Sequence, residues 1–351
     1  MFRDGMEFTE VSLTAAAGII YRSKHDTEGL PMKRIEREQA RKYAFDWRDE
    51  PLLHVEAGES FEIETYDAST GYFQTSADKA IPSLRPGFHR SPPLANPIGG
   101  PVYLQGAEPG DAVVVTIEDI LVDDYSWVAI GPRRGPLGES TRWPELSSDY
   151  TTKIFRHTPG PSGTTRDGTL HFSDAISWPI TPFVGTLGVC PDREVVTSLD
   201  GQGAWGGNLD ICDFAIGNRI WLPVYHPGAL LYLGDVHASQ GDTEFTGTAA
   251  ETKATVRLRM EIVKRKKLTG VRIEKPESII AIHADRPLEI AVETATVQLM
   301  DWLITEHGYT PTDAYCLVST CPDFRIHVYQ MCKIGKLSFV AGAELPRKYL
   351  T

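Results

Sequence analysis

Apolar and polar positions alternate in short runs through much of the chain. Leu53 and Val55, then Phe61, Ile63 and Thr65, stand against Glu62, Glu64 and Tyr66, with Glu56-Ala57-Gly58-Glu59 between the two runs. Side chains two apart on an extended backbone share a face, so each run predicts a half-buried strand. The alternation returns from Ala112 to Leu121 after the turn Pro109-Gly110-Asp111, and again from Thr255 to Val263, with Val256, Leu258, Met260 and Ile262 on one side. Near the end the period changes. Ala291, Val292, Ala295, Leu299, Met300, Leu303 and Ile304 fall at three-and-four spacing, which predicts a helix from Leu288 to His307 closed by Gly308. A second helix opens with Thr310 as cap, Pro311 in first place and Asp313 in the first turn, and ends at Cys321-Pro322. Phe324 to Met331 alternates as a final strand.

Two stretches rich in Pro and Gly, 81–112 and 131–168, read as long irregular excursions. The first is long enough to close over a pocket, although Arg85, His89 and Arg90 each read individually as ordinary loop residues. In the second, Arg133-Arg134 and Trp143 point to a pocket mouth or a neighbouring subunit. The expected architecture is mostly β with a smaller α/β part: a β-sandwich-like core with a short C-terminal helical layer.

Charge and cysteine usage narrow the function. A net charge of −12 over 351 residues argues against a nucleic-acid partner, whose phosphates require clustered Lys and Arg. The five cysteines, at 190, 212, 316, 321 and 332, have neither Cys-x-x-Cys nor framework spacing, as expected of free thiols in a reducing cytoplasm. The apolar run Val11–Tyr21 follows Asp4, Glu7 and Glu10, the wrong charge for a secretory signal, and is too short to span a bilayer. No membrane partner is expected.

The candidate chemistry lies between Gly206 and Glu251. Asn208 and Asp210, Asp235 and His237, and Gln240, Asp242 and Glu244 are spaced two apart, with Glu251 beyond. On extended chain such pairs present two ligands to one point. Carboxylates mixed with one imidazole suit a divalent cation: zinc first, with manganese or calcium as alternatives, and one ion or two. Four crowded carboxylates also call for a cation to relieve their repulsion. The competing reading makes these acids turn residues between strands. The literal GxGxxG from Gly201 to Gly206 is discounted as a dinucleotide fingerprint, because no amphipathic helix follows it.

The run Gly206-Gly207-Asn208-Leu209-Asp210, with Leu222-Pro223-Val224, Pro227-Gly228-Ala229, Gly234 to Asp242, Glu244 and Gly247 to Glu251, resembles the acetamidase/formamidase family. The resemblance continues in Asn96 to Tyr103, Gly106 to Asp111 and Asp313-Ala314-Tyr315, from about residue 40 to about residue 345. It implies a single catalytic domain over 41–351 behind an N-terminal extension, 1–40. It also implies a cytoplasmic homo-oligomer that hydrolyses a short-chain, formamide- or acetamide-like amide to ammonia and a carboxylate. A metal-activated water would serve as nucleophile. The expected ligands are Asn208, Asp210, Asp235 and His237, with Asp67, which the resemblance brings near the site, and Glu251 completing the shell; Glu244 is the expected general base, the roles of ligand and base staying open between Glu244 and Glu251. Two other readings stand beside this one. One is a cysteine-nucleophile amidase, for which Cys212 is nearest the motif; the other is a non-catalytic β-sandwich holding a cation for ligand binding.

Overall fold

The computed structural model describes residues 32–350. The alternating runs are strands, and they assemble into two sheets. One has nine strands in the order Lys33–Ile35, Ser60–Thr65, Ala254–Val263, Ala112–Val122, Arg219–Pro223, Arg272–Glu274, Ser278–Asp285, Phe339–Pro346 and Arg325–Gln330. Every pairing in it is antiparallel except the first. The other has eleven strands and is centred on Leu231–His237, which pairs with Phe183–Val189, Ile98–Leu104 and Glu251–Thr252.

The two sheets share one apolar core. Ile63, Val115, Ile117, Val256 and Leu258 from the first meet Val184, Leu187, Leu231 and Leu233 from the second. Each such side chain, fully buried, contributes about 1.5–3 kcal/mol. Leu231–His237 is buried at all seven positions, so its sequence shows no alternation. This strand carries Asp235 and His237.

At the C-terminal end, Leu288–His307 lays Ala291, Ala295, Leu299, Trp302 and Leu303 inward, with Leu299, Trp302 and Leu303 packed with Ile279, Ala281, Ala343 and Leu345 of the nine-stranded sheet. Gly308 closes it at φ 71°, in the left-handed region, and its N–H donates to Leu303 O. Thr310 caps Pro311–Thr320 by accepting the Asp313 N–H at 3.1 Å.

Three elements differ from the sequence expectation. The excursion 81–112 contains the strand Ile98–Leu104, whose alternation is hidden by Gly99-Gly100-Pro101. The stretch 131–168 contains Thr151–Thr158, whose inward positions are Thr152, Phe155 and His157, two of them polar. Arg325–Gln330 is an edge strand rather than the last one, because Phe339–Pro346 follows it and inserts between it and Ser278–Asp285. The sheet also begins within the segment 1–40: Lys33–Ile35 runs parallel to Ser60–Thr65, and Ile35 and Ala40 are buried. The run Val11–Tyr21 lies outside the described residues.

Candidate metal centre

Five ionisable groups converge between the central strand and the turns beside it. Asp210, Asp235 and His237 each offer a ligand atom, all within 4.8 Å of one another, and so do His237, Glu244 and Glu251. All five residues are buried. Strand register brings Glu251 opposite His237 and Phe183 on its other side.

The backbone around these acids is unusual for side chains of this kind. Asp210, Asp235 and Glu244 have φ of 48°, 58° and 45°, a region that costs an L-residue about 1–2 kcal/mol. At Asp235 the ladder with Phe183–Val189 skips one pair, between Val184–Val236 and Thr186–Gly234. Asp235 and His237 therefore meet, at 3.5 Å from Oδ1 to Nε2, although their segment is not regular strand. Three left-handed acids in two triads that share His237 mark a site where folding tolerates strain. Gly185 stands behind them. Its carbonyl accepts the N–H groups of Leu209 and Asp210, at 3.2 and 3.0 Å. A Cβ there would lie 2.6 Å from Asp235 O and 2.8 Å from Asp210 Oδ1.

Four of these side chains have one polar atom anchored and the other bare. Asp210 Oδ2 accepts from Gln330 Nε2, while Oδ1 has no partner. Asp235 Oδ2 lies 3.2 Å from Thr186 Oγ1, while Oδ1 has no hydrogen-bond partner. Glu251 Oε1 accepts the Ala249 N–H at 3.1 Å, while Oε2 is bare at 3.3 Å from His237 Nε2. His237 Nδ1 is 3.0 Å from Gln240 Oε1, and its Nε2 forms no hydrogen bond. Gln240 is itself fixed, its Nε2 donating to Asp210 O and Tyr329 O at 2.8 and 3.1 Å. Its oxygen must therefore face the imidazole, Nδ1 carries the proton, and Nε2 turns to the acids. Buried polar atoms are normally satisfied, so four bare ones on two triads that share His237 suit a cation, or a pair of them.

The electrostatics agree. Burial, with Asp235 adding to it, pushes the Asp210 carboxyl up to about 7. Burial likewise takes Glu251 to about 7, with His237 opposing and Asp235 adding. Burial and the neighbouring Asp210 hold Glu244 well above the carboxylate range. His237 is held well above its usual value: burial opposes this, but Glu251 and Asp235 outweigh it. Without a cation these acids keep protons or pair with imidazolium; a divalent ion would relieve both.

The remaining expected residues take other positions. Asn208 supports the centre from beside it: its Oδ1 faces Thr186 Oγ1 at 2.8 Å and its Nδ2 donates to Leu199 O at 2.8 Å. Thr186 also accepts from Asn96 Nδ2, so its single proton serves Asn208 or Asp235. Asp67 is buried outside both ligand groups, with Oδ1 accepting the N–H groups of Ser69 and Gly71. Asp242 is exposed. Glu244 sits in a one-turn helix, Asp242–Glu244, not in extended chain. Gly185, Thr186, Asn96 and Gln330 were not among the expected site residues; the signal for the first two is a pair of glycines and a threonine in the otherwise apolar run Phe183–Val189.

Beside the centre lies a cleft of about 230 Å³, lined by Thr181, Pro182, Phe183, Cys212, Ala215, Ile216 and Gln240. Phe183 stands edge-on to the His237 ring at 5.0 Å, so the cleft wall and this imidazole touch. Burial pushes the Cys212 thiol up to about 12, which leaves almost no thiolate at neutral pH.

Fold and site together define a β-sandwich protein built around a buried acid and imidazole centre. The family model described as the acetamidase/formamidase family matches residues 32–203 and 199–347, and the chain belongs to that family. The crystal structure of an acetamidase from Yersinia enterocolitica superposes with a TM-score of 0.80 at 28% identity, over 93% of this chain and 94% of that one. The acetamidase of Mycolicibacterium smegmatis is 27% identical over 343 aligned positions, 76% of this chain and 82% of its own length. The formamidase of Methylophilus methylotrophus is 30% identical over 192 positions, 42% of this chain and 47% of its own. The chain thus spans between 47% and 82% of the lengths of the curated relatives it matches, 61% for a third. These relatives are named for hydrolysis of linear amides. No helix among the described residues is long and apolar enough to cross a membrane.

Proposed function

We propose that this chain hydrolyses the carbon–nitrogen bond of a linear amide to ammonia and a carboxylate, using a divalent cation of the zinc or manganese kind. The observation that carries this reading is the set of four bare buried atoms, Asp210 Oδ1, Asp235 Oδ1, His237 Nε2 and Glu251 Oε2, on two ligand triads that share His237. A cation held there would lower the pKa of water and polarise the amide carbonyl.

The chain's own groups do the rest. Gln240 fixes the His237 tautomer and thereby the direction of its Nε2 lone pair. Gln330 holds one oxygen of Asp210, and Thr186 shares its one proton between Asn208 and Asp235, which limits how far these carboxylates can swing. Glu244 has no bare buried atom of this kind, and burial, helped by the neighbouring Asp210 charge, raises its carboxyl. It is therefore assigned as the proton carrier rather than as a ligand: it takes a proton from the attacking water and returns it to the leaving nitrogen. The cleft beside Phe183 and Gln240 is the approach for substrate, and a cytoplasmic homo-oligomer is part of the same reading. Burial, which raises the Cys212 thiol, weighs against the rival reading of Cys212 as nucleophile.

The test is removal of the cation. Ammonia release from formamide and acetamide should fall by at least about 10²-fold on dialysis against a chelator and return when zinc or manganese is restored. Undiminished turnover by demonstrably metal-free protein would refute the mechanism.

A further inference from the structure

One buried group plays no part in this mechanism. Arg85 is the only lysine or arginine that is buried among the described residues, at 6% exposure. Its Nη2 donates to Ser69 Oγ at 2.6 Å, its guanidinium carbon lies 4.0 Å from the centroid of Phe88, and its Nε has no partner. A second guanidinium, that of the half-buried Arg134, approaches the same ring to 5.8 Å. Neither is hydrogen-bonded to a carboxylate among the described residues.

The loops that carry the two arginines reach elements that carry the acid cluster. Gly135, next to Arg134, packs on the turn that carries Glu244: a Cβ there would lie 2.7 Å from Phe245 O and 3.1 Å from Thr246 O. From the other loop, Arg85 lies 5.7 Å from the Phe73 centroid, and the Phe73 ring packs tilted at 4.2 Å against Trp127, the cross-strand partner of Glu251. Burying one cation is costly, and bringing a like charge to it adds repulsion. Burial, with Arg134 adding to it, pulls Arg85 down to about 9 against the opposing fields of Asp67 and Glu251, so it stays charged at neutral pH. A counter-ion for the buried acids would sit against a carboxylate. Arg85 sits instead against a hydroxyl and a ring, with an N–H left over.

We propose that Arg85 and Arg134 form a carboxylate-recognition subsite, and that the substrate is a linear amide with a carboxylate at its far end, the class of malonamate, succinamate and glutaramate. This rests on the amide hydrolysis proposed above. The guanidinium fork matches a carboxylate with two parallel N–H donors, and the bare Arg85 Nε supplies one of them. In the reaction water adds to the amide carbonyl, the C–N bond breaks, nitrogen leaves as ammonia and a dicarboxylate is released. The far carboxylate is unchanged.

The experiment compares kcat/KM for these three amides and for uncharged 4-methylpentanamide, an isostere of succinamate, in the full chain with its metal. It is repeated with Arg134→Gln and Arg85→Lys, whose melting curves report folding; if Arg85→Lys fails to fold, Arg134→Gln carries the comparison. The wild type should prefer the best anionic amide by at least about a hundredfold, and the substitutions should cut that ratio at least about tenfold. A wild-type ratio near one, or a ratio that substitution leaves unmoved, overturns the proposal. If no amide is hydrolysed, the hydrolytic reading fails, and calorimetry decides the subsite separately. Succinamate binding that Arg134→Gln weakens at least about tenfold supports it, and absent or unweakened binding overturns it.

Discussion

The smallest informative perturbation of the centre is a single methyl group at Gly185. Alanine there would bring Cβ to 2.6 Å from Asp235 O, 2.8 Å from Asp210 Oδ1 and 3.1 Å from Asp235 Oδ2, where ordinary contact begins at 3.4 Å. The nearest two atoms must yield by about 0.6–0.8 Å, and one of them is backbone. Overpacking of this size costs about 1–3 kcal/mol, or roughly 2–10 °C of melting temperature in a domain this large. The site should suffer far more than the fold. A misplacement approaching 1 Å costs about 10²-fold in rate, and disturbing the support of a ligand costs about 10–100-fold in metal affinity. Gly185→Ala should therefore melt cooperatively, carry substoichiometric metal by mass spectrometry after gel filtration, and release ammonia from formamide at least about 10²-fold more slowly than wild type. Gly241→Ala is the control: a Cβ there meets nothing within 4 Å and its φ is −84°. A Gly185→Ala protein with full metal and full turnover would refute the geometry argued for Asp210 and Asp235.

Glu244→Gln should lower kcat by about 10²–10⁴-fold with metal content retained; metal lost along with activity would instead make Glu244 a ligand. Away from the centre, Glu344 accepts from His327 Nε2 at 2.6 Å and from Ser278, and pairs with Lys275 at 3.3 Å, which together bring its carboxyl down to about 2 against the opposing effect of burial. A depressed carboxyl stabilises above its unfolded value of 4.5, and the contribution is lost as pH falls from there to about 2. His327, raised by the same bond, stabilises below 6.5 and loses that contribution as pH rises through its higher folded value. In melting-temperature profiles, Glu344→Gln should flatten the acid limb between pH 4.5 and about 2; a limb as steep as wild type would exclude this pair as its source.

What the sequence discloses and what it conceals divide along a physical line. Period-two alternation exposes strands with one wet face, so Ser60–Thr65 and Ala254–Val263 are readable. It fails for Ile98–Leu104 and Leu231–His237, which are buried on both faces. Ionisable side chains stand out in an apolar setting, which is why Asp235 and His237 draw attention. The residues that hold them do not: Thr186 and Gln330 are neutral, and Gly185 contributes only room. Their roles come from cross-strand and cross-sheet neighbours at separations up to 120 residues. Asp67 marks the limit of local reading, since a turn-forming acid and a pocket acid have the same local signature. Its Oδ1 is taken by the N–H groups of Ser69 and Gly71, while Ser69 Oγ accepts from Arg85. The turn that Asp67 folds thus presents its hydroxyl to the buried Arg85, and an acid expected among the metal ligands lies one step from the proposed carboxylate subsite. Arg85 is concealed for the same reason: nothing in a Pro- and Gly-rich stretch reveals which of its side chains the fold will bury, and only the packing of 81–97 against Phe73 and Ser69 does.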